Sequence, residues 1–515
     1  MNTHARVSAT LCFALSAAAC GSGVDTPPTN SSGGTGGTSS SSGTGGTSSS
    51  SSTGGMGTGG STTPPWTAYI GAHYSFTPTS GLTRSWAGGG LRDPGGNGTN
   101  YEPADDGQGS YTDPAYAVFT SKALPLLGTI LQQDKRVVLS LASGGSSTYL
   151  DSMQTPAGRA AYEKAIADRI TAIVGLPSAA GWEEKIYFQF GNEISSSNPN
   201  GFYSRVCLWA TAGADSNCDP STEFAPAYVE EYLAPGIEVL RSKSQDLFGK
   251  PDAIRIMLGS IVNLVKKQDL ADTLLDYPIQ GTKAPTLSGM KVHELVDAVS
   301  IHYTIIDPGY QAALDTFHGK WTPNGVPKSR VRALWSTEEL GMNSASQGFG
   351  MATALVDLAR YLTFWQANDI SPEDGHMFFW GSDVATCAGC TSLDADMHFL
   401  HDFTGDTSLT RVEGAATAAG SGALEVHDFA VGGADKRVII TFVPGQTAGA
   451  LSGVTLDLGA WAGKTASVTA YRFAGQGAET LGVTPASASA SASVTLQLQA
   501  DLVPRAAVLL LVDAQ

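Results

Sequence analysis

Between Tyr69 and Trp380, short apolar runs recur eight times, separated by stretches of helical periodicity. The runs are Tyr69–Phe76, Leu82–Trp86, Arg136–Leu141, Ile186–Phe190, Ile254–Leu258, Ala298–Tyr303, Val331–Thr337 and Met377–Trp380. The amphipathic stretches between them include Ala117–Gln133, Pro156–Val174, Pro226–Gln245 and Met351–Asn368. That alternation predicts parallel strands joined by crossover helices. Eight such units fit an α/β chain closed as a (β/α)8 or TIM barrel. The first unit is irregular, because Thr77–Gly81 is too short for a helix between its strands. After Gly420 the helical pattern stops. Six runs at regular spacing, from Leu424–Val431 to Ala506–Val512, predict a smaller all-β sandwich. The expected organisation is a barrel over 66–420 and a sandwich over 421–515.

Residues 1–20 have the short positive start, apolar stretch and small-residue end of a secretory signal, too short to span a membrane. Ala17-Ala18-Ala19-Cys20-Gly21 resembles a bacterial lipobox, with Ala17 where Leu is usual. That resemblance implies lipidation at Cys20; the alternative is ordinary cleavage near Ala19. Residues 21–65 form a linker, and 31–62 contain only Ser, Gly and Thr apart from Met56. Such a coil has a reach of roughly 35–40 Å, which suits a tether. The expectation is an exported protein, lipid-anchored at the bacterial outer membrane or cell surface, or else secreted. It would meet a membrane only through that anchor and act as a monomer.

The formal net charge is −17. Residues 1–65 contribute none of it and residues 421–515 contribute −2, so −15 resides on the predicted barrel. This excludes a phosphate-binding surface and hence nucleic acid as a partner. It also disfavours polyanionic substrates.

Four cysteines lie beyond Cys20: Cys207, Cys218, Cys387 and Cys390. In an exported chain an even count reads as disulfides, here paired locally as Cys207–Cys218 and Cys387–Cys390. A zinc site remains open as the alternative for the second pair, because His398 and His401 follow closely. Otherwise no metal and no cofactor is expected.

In a barrel, chemistry sits at the C-terminal ends of strands. The fourth predicted strand runs into Gly191-Asn192-Glu193 and the seventh into Thr337-Glu338-Glu339. Two carboxylates on facing strands are what glycoside hydrolysis needs: one protonates the leaving oxygen, the other attacks the anomeric carbon or activates water. Together with Thr83-Arg84-Ser85-Trp86, Tyr101-Glu102-Pro103, Asp297–Tyr303 and Trp380, this pattern resembles the clan A retaining glycoside hydrolases, family 39 above all. The resemblance extends from about Trp66 to the C-terminus. It implies Glu193 as acid/base, Glu338 as nucleophile, Asn192 on the sugar 2-hydroxyl and a carbohydrate substrate. It further implies donors at Arg84 and Tyr303, a stacking face on Trp380 with Trp86 as a second candidate, and a site lined by His302 and His73. Gly191 departs from the family, where Trp often precedes Asn-Glu, and its absence would remove a wall of the sugar site.

Glu339, followed by Leu-Gly, also fits a nucleophile pattern. Strand alternation favours Glu338, on the premise that it shares a face with Ser336. No Gly-x-Ser-x-Gly elbow, phosphate-binding loop or Gly-x-Gly-x-x-Gly turn after a strand is present, which removes serine hydrolases and nucleotide enzymes of those types. The remaining rival is a surface lipoprotein that binds glycans or a partner through a degenerate, non-catalytic barrel.

Overall fold

Eight parallel strands hydrogen-bond into a closed ring. They are β1 (Ile70–Tyr74), β2 (Gly88–Leu91), β3 (Arg136–Ser140), β4 (Ile186–Phe190), β5 (Arg255–Val262), β6 (Ala298–His302), β7 (Ala333–Glu339) and β8 (Gly375–Phe379). Each pairs with its sequence neighbours, and β8 closes the ring onto β1 through Ile70 opposite Met377. The computed structural model describes residues 64–74, 88–91, 104–105, 111–112, 116, 119–132, 136–141, 155–196, 201–213, 215–339, 351–379, 393–444, 447–474, 477–504 and 506–515.

Strand composition explains the layering. Along β4, Ile186, Phe188 and Phe190 join the large core shared with the helices, whereas Tyr187 joins an inner cluster with Val138, Met257, Ala298, Ala333 and Trp335. Alternation thus sends every second side chain into the barrel and the rest outward. Pro156–Val174 is one of the covering helices; Thr155 caps it by accepting from the Gly158 N–H at 3.1 Å, and Pro156 sits where a missing donor costs nothing. Among the described residues no helix is long and apolar enough to cross a membrane.

The second strand differs from expectation. It is the glycine run Gly88–Leu91, paired with Gly71–Tyr74 on one side and Arg136–Leu139 on the other, not Leu82–Trp86. Glycines carry no apolar signal, so hydropathy alone selected the flanking segment. Arg84 and Trp86 therefore precede this strand and lie outside the described residues.

Two antiparallel sheets follow. The larger has the order β9 (Leu409–Arg411), β11 (Glu425–Val431), β12 (Lys436–Phe442), β18 (Ala507–Ala514), β14 (Thr465–Ala474) and β15 (Gly477–Leu481), with β16 (Ser487–Ser489) also on β14. The smaller has the order β10 (Ala416–Ser421), β13 (Gly449–Leu456) and β17 (Val494–Leu502). The sandwich sheets thus begin at Leu409, ahead of the expected boundary at 421; β9 and β10 are short and largely polar or small, so they carry little alternation.

The central strands of the larger sheet, β12 and β18, are buried on both faces. Ile439, Val508, Leu510 and Val512 pack toward the smaller sheet. Val438, Ile440, Phe442, Leu509 and Leu511 belong instead to the barrel's core. Within that junction Arg360, 2% exposed, grips the Glu425 carboxylate through Nε at 3.0 Å and Nη2 at 2.7 Å, and also donates to the Ile305 carbonyl. His427 Nε2 adds a bond to Glu425 at 2.8 Å. Burial alone would raise the Glu425 carboxyl, but the His427 and Arg360 hydrogen bonds and the Arg360 charge outweigh it and hold the pKa at about 2.

At the N-terminal end of the barrel a cavity of about 980 Å3 is lined by charges of both signs. Several are already paired, Arg330 with Asp297 at 2.6 Å and Arg136 with Glu373 at 2.9 Å. This end lies opposite the strand termini that carry chemistry in such barrels, and its ion pairs read as structural.

Because the Glu425 pKa is depressed on folding, its stabilisation is complete above its ordinary value of 4.5 and is lost as pH falls toward about 2. Glu425→Gln should therefore cost about 3 kcal/mol at pH 7 and clearly less at pH 3. Urea unfolding midpoints at the two pH values measure this; an equal loss at both would contradict it.

Candidate active site

The C-terminal end of β4 is fixed from behind. Tyr228 donates to the Phe190 carbonyl at 2.8 Å, and Tyr232 donates to the Leu141 carbonyl beyond β3 at 3.0 Å. The chain then leaves β4 through Gly191 at φ 85°. A Cβ there would stand 2.7 Å from Ile194 Cγ2 and 3.0 Å from Phe202 Cε2. The position is buried and faces the helix layer, so the expected loss of a sugar-site wall is corrected: the glycine answers to backbone conformation and crowding.

Asn192 and Glu193 come next. Glu193 holds a left-handed φ of 50°, unusual for a residue with a side chain. Its N–H donates to Ser260 Oγ at 2.6 Å, and that hydroxyl donates to Asn192 Oδ1 at 3.3 Å. The same conformation recurs at the next two strand ends, Asn263 at φ 54° after β5 and Tyr303 at φ 52° after β6. Three adjacent non-glycine turns of this kind are sterically costly, and such costs cluster at functional sites.

His302, at the end of β6, is 1% exposed and bridges two strands. Its Nδ1 is 3.5 Å from Glu193 Oε1 and its Nε2 is 3.0 Å from Thr337 Oγ1. Thr337 is hydrogen-bonded in turn to Ser300. The Glu193 side chain keeps 34% exposure, so one carboxylate oxygen contacts a buried imidazole while part of the side chain stays open to solvent. Tyr303 meets the His302 ring edge-on, with centroids 5.5 Å apart.

The strand alternation that put Ser336 and Glu338 on one face is interrupted in β7. Ala333 and Trp335 are in the inner cluster and Leu334 is in the outer core, so alternation sends Ser336 outward and Thr337 inward. One extra residue then enters β7: Ile301 pairs with Ser336, but His302 pairs with Glu338. This bulge brings Glu338 to the register position of His302. Glu339 pairs with Phe379, two residues beyond the outward-packed Met377. Beneath this layer His376 lies against Trp335, centroids 4.9 Å apart, and burial drives its pKa down to about 3, leaving a neutral imidazole.

His73 occupies β1 opposite Gly90. Cys207 and Cys218 form a disulfide, and Tyr203 donates to the Cys218 carbonyl at 2.8 Å, tying the Phe202–Ala210 helix to the loop that follows it. Cys20, Trp380, Cys387 and Cys390 lie outside the described residues. His401 contacts Asp406 at 3.3 Å and the Trp66 ring. No group of three or more His, Cys, Asp or Glu suited to a metal ion occurs among the described residues.

Sequence reasoning missed Ser260, Ser300 and Thr337. Serine and threonine inside strands carry no motif, and Ser260 owes its place to a bulge that a linear pattern does not reveal.

No protein-family model and no curated protein matches the chain. Among solved structures, it is similar to a bacterial orthologue of human α-L-iduronidase at 9% identity and a TM-score of 0.47, covering 88% of this chain and 82% of that one. It is similar to a family 39 glycoside hydrolase from Bacteroides cellulosilyticus WH2 at 11% and 0.44, covering 87% and 81%. A GH30 endoxylanase from Clostridium papyrosolvens C71 is similar at 13% and 0.39, covering 88% and 98%. At such identities the chemistry has to be argued from this chain's own residues.

Gly191→Ala should destabilise the protein by about 2 kcal/mol, since alanine disfavours the left-handed φ and its methyl meets Ile194. An unchanged urea midpoint would contradict the assigned backbone constraint.

Proposed function

We propose that the protein is a retaining glycoside hydrolase acting on a neutral poly- or oligosaccharide. Glu193 is its general acid/base and Glu338 its nucleophile. The observation that carries this reading is the convergence on His302: the Glu193 carboxylate touches its ring, and Glu338 is its register partner on the adjoining strand.

In the first step Glu193 donates its proton to the leaving glycosidic oxygen while Glu338 attacks the anomeric carbon, forming a glycosyl-enzyme ester. In the second, the Glu193 carboxylate takes a proton from water, which attacks the same carbon and releases Glu338. Such a mechanism requires the carboxyl groups about 5–5.5 Å apart. Asn192 binds the sugar 2-hydroxyl beside the acid. Arg84 and Tyr303 supply donors that keep Glu338 ionised, and Trp380 offers a stacking face. The acidic head favours uncharged glycans over uronic-acid polymers. No step calls for a cofactor.

The proposed setting is extracellular, with Cys20 lipidated and residues 21–65 holding the head off the membrane. The Cys207–Cys218 disulfide supports an oxidising compartment.

Glu193→Gln and Glu338→Gln, assayed on a panel of aryl glycosides and neutral polysaccharides, should each lower kcat by about 10²–10⁴-fold. Activity that survives Glu338→Gln but is lost in Glu339→Gln would overturn the nucleophile assignment. An unmutated protein inert on every glycan, yet binding one, would favour the non-catalytic lipoprotein.

A further inference from the structure

We infer that Ser260 is a positioning residue of this site, one that sets the amide of Asn192 and the backbone of Glu193 without touching substrate. The inference rests on the glycosidase reading. Ser260 is fully buried, so any effect on a sugar passes through its neighbours.

Ser260 owes its place to a second bulge. Along β5, Leu258 pairs with Val299, but Ile261 pairs with Ile301, so one extra residue enters between them. Leu258 and Ile261 both pack outward. A regular strand could not send both to the same side across two intervening residues, so the bulge re-aims Gly259 and Ser260. Gly259 accepts this because a Cβ there would fall 2.2 Å from the Phe190 carbonyl oxygen. The result brings β5 hard against the turn that leaves β4.

Every polar group of Ser260 is then spent on that turn. Its N–H donates to the Gly191 carbonyl at 3.4 Å, and its carbonyl accepts from the Ile194 N–H at 2.9 Å. The hydroxyl accepts from the Glu193 N–H and donates to Asn192 Oδ1. An amide is planar, so fixing Oδ1 fixes the direction of its nitrogen branch as well. Apolar packing cannot do this, because the two ends of an amide have nearly the same shape. The one hydroxyl therefore couples the left-handed turn of the acid to the orientation of the residue that reads the sugar.

The test is Ser260→Ala alone and combined with Asn192→Ala, assayed on the best aryl glycoside. Ser260→Ala should lower kcat about tenfold with KM within about twofold, as expected for a lost hydrogen bond that aligns the transition state. The double variant should lose clearly less than the product of the two single losses, because part of what Ser260 does passes through that amide and only its hold on the Glu193 backbone remains to be lost. A kcat unchanged in Ser260→Ala, or losses that multiply in the double variant, would overturn the inference and leave the glycosidase reading intact. A melting temperature lowered with kcat unchanged would reduce Ser260 to a structural role and overturn it too. Inactivity of the unmutated protein on every glycan would overturn both.

Discussion

A closed ring of parallel strands has no edge, and that closure governs everything built on it. Each strand must satisfy two neighbours at once, so a bulge in one shifts what faces the lumen at its mouth. β5 and β7 each carry one such extra residue, both near their C-terminal ends. Below the bulges the strands run in register around Trp335, Tyr187 and Met257. Above them Ser260 comes from a position an unbroken alternation would have sent elsewhere, while His302 and Thr337 arrive by regular alternation. The regular part of the ring is thus a foundation, and its two irregularities shape the site.

Those irregularities account for what the sequence did and did not disclose. The barrel was readable because runs such as Ile186–Phe190 and Ala298–His302 are mainly apolar and bounded by helical stretches. The second strand was not, since Gly88–Leu91 has backbone hydrogen bonds to offer but no hydrophobic pattern. Asn192 and Glu193 were visible as polar residues ending a strand. Choosing between Glu338 and Glu339 needs a register, and the bulge in β7 breaks the simple alternation that put Ser336 and Glu338 on one face. Ser260 was invisible because its role depends on a neighbour 67 residues away in the chain.

His302 gives the arrangement its economy. One buried imidazole lies between a carboxylate from the fourth strand and the threonine that precedes the carboxylate of the seventh. A ring with two nitrogens on opposite edges can hold two strand ends at a fixed spacing. That spacing matters for any reaction in which two acids must act on one carbon from opposite sides.

The central strands of the larger sheet in the C-terminal half, Lys436–Phe442 and Ala507–Ala514, have almost no surface to show to water. Their one side is sealed by the smaller sheet and their other by the helices of the barrel, with a buried arginine–glutamate clasp between. An appendage that serves as a mobile carbohydrate-binding arm would need a skin; this one is flayed along the seam. Removing the sheet would strip the barrel of apolar partners packed around the helix Met351–Ala367. The two halves stand or fall as one core.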